Sequence, residues 1–105
     1  MAASAGAAAS PADVMAKLDA AGPKELVFTG KDKKFIYYFI RIGDAKYYRQ
    51  ATNHEGGSRS GVTCDDADEF THTLKLNLGD VPDGKFVALA EVEDANVRGS
   101  LERYE

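Results

Sequence analysis

The residues able to do chemistry crowd into one stretch of this chain, Gly61–Leu76, "GVTCDDADEFTHTLKL". Asp65, Asp66, Asp68 and Glu69 stand between the single cysteine, Cys64, and His72, one of two histidines. Carboxylates this close repel one another unless something positive joins them. Calcium is the natural candidate, because it takes roughly six to eight oxygens from carboxylates, carbonyls and water. Carbonyls of the preceding glycine loop, or Asp80 and Asp83, would complete such a shell. The spacing is not that of an EF-hand: "DDADEF" lacks the glycine and the distal glutamate of that loop. The same four carboxylates also suit a basic partner, or simply a solvated entrance to a strand.

Nucleophilic chemistry finds less support. A catalytic cysteine needs positive charge nearby to lower its pKa, and Cys64 is followed by Asp65 and Asp66. The two histidines do not have the paired spacing of a zinc site, and Cys64 has no second thiol. In the alternating register of Phe70, Leu74 and Leu76, His72 is expected at the rim of the core. The loop "EGGSRSG" offers backbone amides and Arg59 to an anion, but it is not a phosphate-binding P-loop. With no acid–base pair or nucleophile constellation, a non-enzymatic binding module is the expectation.

A second candidate surface lies upstream. Phe35, Tyr37, Phe39, Arg41, Lys46 and Tyr48 alternate along a predicted hairpin and join aromatic rings to cations. That combination stacks bases in single-stranded nucleic-acid binders. Alternatively, these aromatics are the surface that the N-terminal helix covers. The overall charge of −4 disfavours phosphate binding, so a protein partner is expected over nucleic acid. Residues 11–60 carry nine Lys/Arg against six Asp/Glu, whereas residues 61–105 carry four against eleven. A molecule with two such halves can steer a partner or associate head to tail.

The elements that must position these residues are short. "SPADVMAKLDAAGP" predicts a helix, with Ser10 as N-cap, Pro11 in the first turn and Gly22 as the stop. "ELVFTG", "KFIYYFIRI" and "AKYYRQA" predict strands. "KDKK" reads as a charged turn and Gly43-Asp44 as a two-residue hairpin turn, which pairs Ile40 with Tyr47. "TNHEGGSRSG" reads as a loop. Period-two alternation from Phe70 to Leu78 predicts a half-buried strand, "FVALAEVE" its partner, and "VRGSLERY" an edge strand. The fold class expected is α+β and β-rich. One short helix packs on an antiparallel sheet or small β-sandwich of about six strands. Residues 1–9 form a disordered Ala-rich tail and residues 10–105 a single domain. One cysteine permits no internal disulfide. No apolar run approaches the roughly 20 residues of a membrane span, and a cytoplasmic location is expected.

Across residues 53–95 the chain resembles the tellurium-resistance stress proteins of the TerD type. The resemblance rests on the acidic doublet Asp65-Asp66 ahead of the run to Leu78, on Val81-Pro82 in the following turn, and on the apolar Phe86–Val92 leading to Asp94-Ala95. It implies a β-sandwich, calcium binding through acidic loops and a role in stress response. On that basis Asp65, Asp66, Asp68 and Glu69 are the candidate ligands.

Overall fold

Local capping starts the chain as its sequence predicts. Helix α1 spans Pro11–Ala21; the Ser10 side chain accepts from the Asp13 amide, and Gly22 ends the helix at φ 91°. Glycine takes that conformation without a Cβ penalty. The structure is a computed structural model and describes residues 10–54, 59–80 and 82–104. The expected tail over residues 1–9, and the centre of the glycine loop, lie outside the described residues.

Five strands form one sheet: β1 (Leu26–Lys31), β2 (Phe35–Gly43), β3 (Lys46–Asn53), β4 (Arg59–Cys64) and β5 (Gly84–Ala88). Their order is β4-β3-β2-β1-β5, and all neighbours are antiparallel. The charged turn between β1 and β2 is organised by Asp32. Its carboxylate accepts from the amides of Lys34 and Phe35 at 2.8 and 2.7 Å and from the Tyr37 hydroxyl at 2.7 Å.

The β2–β3 hairpin departs from the expected register by one residue. Gly43 pairs with Lys46, Arg41 with Tyr47 and Ile40 with Tyr48, with an irregularity between Arg41 and Gly43. Ala45 turns the chain at φ 50°. A slip of one residue exchanges the faces of a strand. Tyr47, Arg49 and Ala51 therefore share a face with Tyr37 and Phe39, while Tyr48 and Gln50 share the other with Tyr38 and Ile40.

Two expected strands are helices, and an expected loop is a strand. Helix α2 spans Ala67–Leu78 and helix α3 spans Ala95–Arg103, after one turn of 3-10 helix at Leu89–Glu91. Phe70, Leu74 and Leu78 satisfy periods of two and of 3.6 residues alike, so alternation alone did not separate strand from helix. The polar "RSG" segment enters β4 because its backbone pairs with β3, from Thr52↔Arg59 to Tyr47↔Cys64. The strand β5 pairs with β1 rather than with a strand at 70–78.

Helix α1 lies over β1 and β2, and α2 over β3 and β4, on one face of the sheet. Their core joins Val14, Leu18, Phe28, Phe39, Phe70 and Leu74, all at most 1% exposed. Helix α3 and the 3-10 turn cover part of the other face, where Val27, Ile40, Val97 and Leu101 are equally buried. The result is α+β with one antiparallel sheet between helices.

Candidate functional site

The acidic segment is built as a helix start. Strand β4 ends at Cys64, and Asp66 caps α2 by accepting from the Glu69 amide at 2.8 Å. Glu69 reaches back and accepts from the Asp65 amide at 3.1 Å. This reciprocal arrangement is a capping box, and a cap of this kind contributes about 1 kcal/mol. Asp68 and Glu69 in the first turn also meet the positive end of the helix dipole. Peptide dipoles and amide donors thus offset the repulsion among the four carboxylates. Asp65, Asp66, Asp68 and Glu69 all remain exposed to solvent. Among the described residues, no three His, Cys, Asp or Glu side chains gather as a metal site.

Cys64 is 2% exposed, and its Sγ lies 3.7 Å from the Thr73 hydroxyl. Burial pushes the thiol pKa up; Glu69 and Asp66 push the same way, and the Thr73 hydrogen bond opposes them. A raised pKa makes the reactive thiolate scarcer. His72 is exposed on α2, not at the core rim where a strand would have put it. His54 is exposed and hydrogen-bonds through Nε2 to the Asp32 carbonyl at 2.9 Å.

The structure divides the aromatic and basic candidates. Tyr37 and Phe39 are 5% and 0% exposed in the core under α1 and α2, with Phe35 packed against it. Phe39 meets the Phe70 ring edge-on at 5.7 Å. Tyr48 lies on the opposite face, stacked on Tyr104 at 3.8 Å. Arg41 donates to the carbonyls of Asp19 and Gly43 and to the Asp44 carboxylate, tying the C-terminus of α1 to the hairpin. Lys46 is half-buried where β3 begins. These six side chains do not form one exposed surface.

Hydrogen bonding perturbs two further groups on the helix-covered face. Burial first, then the Asp32 carboxylate, push the Tyr37 phenol up to about 12. Asp32 is held below the usual carboxylate range by the Tyr37 hydroxyl and by the Phe35 and Lys34 amides. Both groups serve the β1–β2 turn.

A flank that the sequence reading did not single out joins β4 to α2. Val62 and Leu76 are the exposed large hydrophobics among the described residues, at 39% and 70%. Val62 pairs with Arg49 across the strands, so both point to the α2 face. Arg49 donates to Asn77 Oδ1 at 3.1 Å and to Ser60 Oγ at 3.5 Å. Leu76 lies on the outer surface of α2, away from the buried stripe of Phe70 and Leu74, while Thr73, three residues earlier, turns toward Cys64 at the end of β4. The D-x-x-E spacing of Asp66 and Glu69 is the sequence signal that would have placed α2, and with it this flank.

On the opposite face a groove of about 1030 Å³ opens between β1, β5 and the segment Glu91–Glu93. Ile36, Tyr38 and Val87 line it, with Lys31 and Lys85 opposing Glu91 and Glu93 in charge. No helix among the described residues is long and apolar enough to cross a membrane. Comparisons with protein-family models, with curated proteins and with solved structures find no match to this chain.

Proposed function

We propose that the chain is a non-enzymatic interaction module that receives a basic protein partner on the flank formed by β4 and α2. One observation carries this proposal. Among the described residues, the exposed large hydrophobics Val62 and Leu76 and the acidic first turn of α2 all stand on the two consecutive elements β4 and α2. Acidic charge steers a basic partner, and apolar contact then retains it. The capping box supports a protein partner over a cation, because Asp66 and Glu69 each already engage one oxygen with a backbone amide. Burial of Tyr37 and Phe39 supports it over nucleic acid, since neither ring is open to a base.

The test is an amide NMR titration of the labelled chain with a lysine-rich peptide and, separately, with calcium chloride. The peptide is expected to shift resonances of residues 60–76, with the effect fading as salt rises. A titration that leaves those resonances in place overturns the basic-partner proposal. Shifts at residues 65–69 with calcium alone would instead favour cation binding.

A further inference from the structure

We propose that the partner at this flank is a second copy of the chain, joined edge to edge through antiparallel pairing of β4. The proposal rests on the interaction module above and names its occupant: a chain acidic overall at −4, which supplies the basic contact locally, through Arg49.

Among the described residues, strand β4 ends the sheet on its side. One row of its amides and carbonyls therefore points away from β3, and such an edge accepts another strand. Lysine, proline or an inward charge guards many natural edges. Strand β4, "RSGVTC", holds a single charge, Arg59 at its first residue, and neither lysine nor proline. The other edge strand, β5, carries Lys85.

Charge selects both the occupant and its direction. The N-terminal end of β4 lies beside Arg49, which bonds Ser60 and Asn77. Arg49 stands in register with Val62, and its guanidinium, over the Tyr37 ring at 5.7 Å, reaches toward Ser60 and makes no ion pair among the described residues. The C-terminal end of β4 leads into Asp65, Asp66, Asp68 and Glu69. The strand thus runs from a cationic end to an anionic one. A two-fold axis near Val62 sets Ser60 opposite Cys64 of the second copy. The acidic turn of each copy then approaches Arg49 of the other, twice over. Parallel pairing would set like charge against like, which disfavours it.

The apolar contacts agree with this geometry. Val62 meets its own counterpart at the axis, and α2 lies above β4 in each copy. The two helices run antiparallel beside the joint, with Thr73 turned toward it and Leu76 on the outer surface of each. A simple basic peptide would answer the acidic turn and leave Arg49 unanswered. A second copy carries both signs in the required order. The product is an isologous dimer with a continuous sheet of twice the five strands.

Sedimentation equilibrium of the full chain across concentration and salt tests this. The weight-average mass is expected to climb from 11.3 kDa to twice that value at low salt. The association constant should fall about tenfold when ionic strength rises from about 0.05 to about 0.5 M. Val62→Lys guards the edge and Leu76→Lys charges the helix flank. Each is expected to return the monomer mass while circular dichroism retains the wild-type spectrum. A wild-type chain that stays at the monomer mass overturns the proposal, as does a dimer that survives both variants. A monomeric wild type whose residues 60–76 still respond to the lysine-rich peptide sinks the dimer and leaves the interaction module standing. A dimer lost in both variants, beside a peptide that shifts nothing, retains the self-association and removes the peptide as a ligand.

Discussion

On one face of the sheet, helices of eleven and twelve residues lie across Phe28, Phe39 and Tyr47. On the other, a nine-residue helix and a single 3-10 turn lie across Val27, Ile40 and Tyr48. The first face is joined by rings: Tyr47 stacks on Phe70 at 4.8 Å, and Phe28 meets Phe86 at the same distance. The second is joined partly by polar groups. Ser100 donates to Gln50 Oε1 at 2.8 Å, Lys24 holds the Glu102 carbonyl, and the Tyr104 hydroxyl meets that of Thr63. Part of the second face stays open as the groove beside Tyr38. Apolar burial stabilises in proportion to area removed from water, so the doubly covered face should dominate stability. The second face should respond more gently to change.

Phe70→Ala is the strongest way to probe that asymmetry. Its ring is fully buried between Phe39 and Tyr47. Truncation should cost about 3–5 kcal/mol in denaturant unfolding. Leu101→Ala removes a side chain that is equally buried on the other face. It should cost about 2–3 kcal/mol, at the low end for such truncations, because a terminal helix relaxes into the space. Equal losses at the two positions would break the comparison.

Asp66→Ala should cost about 1 kcal/mol, through the lost cap of α2. Its measurement is again chemical denaturation, and Asp66→Asn should recover most of the loss because asparagine also caps. A loss in Asp66→Asn as large as in Asp66→Ala would mean that charge, not capping, is what the position supplies.

The mildest probe is pH. The Tyr37 pKa is raised to about 12, so its contribution is fully present below the unfolded value near 10. That contribution is lost as pH climbs through about 12. The wild-type minus Tyr37→Phe difference in tyrosinate absorbance should titrate near that upper value. A midpoint near 10 would mean that the ring is not covered by the helices. The pKa of Asp32 is depressed, so its contribution is present above the unfolded value near 3.8. It fades as pH falls through the folded value. Asp32→Asn should flatten that acid limb of the stability curve.

Much of the fold was legible because local chemistry specifies it. Ser10, Pro11 and Gly22 bound α1, and the run Phe35–Ile42 read as extended, with one face in the core and the other either covered by a helix or exposed. The acidic site was legible as a cluster but not as a cap. His72 and Leu76 were read with Phe70 and Leu74 as one strand face, whereas on a helix they fall outside the buried stripe. Asp94 marked α3 in the same way, accepting from the amides of Asn96 and Val97, in a segment whose other residues read as an edge strand. For β4 there was no apolar signal: its place depends on backbone pairing with β3.

By itself the sequence determined the caps, the turn at Asp32 and the acidic run ahead of α2. Each of these depends on groups a few residues apart. Only the tertiary structure decided the hairpin register, the face that each tyrosine occupies and the pairing of Val62 with Arg49 beneath α2. A one-residue slip at Ala45 leaves local preferences almost unchanged yet exchanges Tyr47 with Tyr48. What selects between the two registers is the burial that α1, α2 and α3 complete, and that energy is present only once the helices have packed.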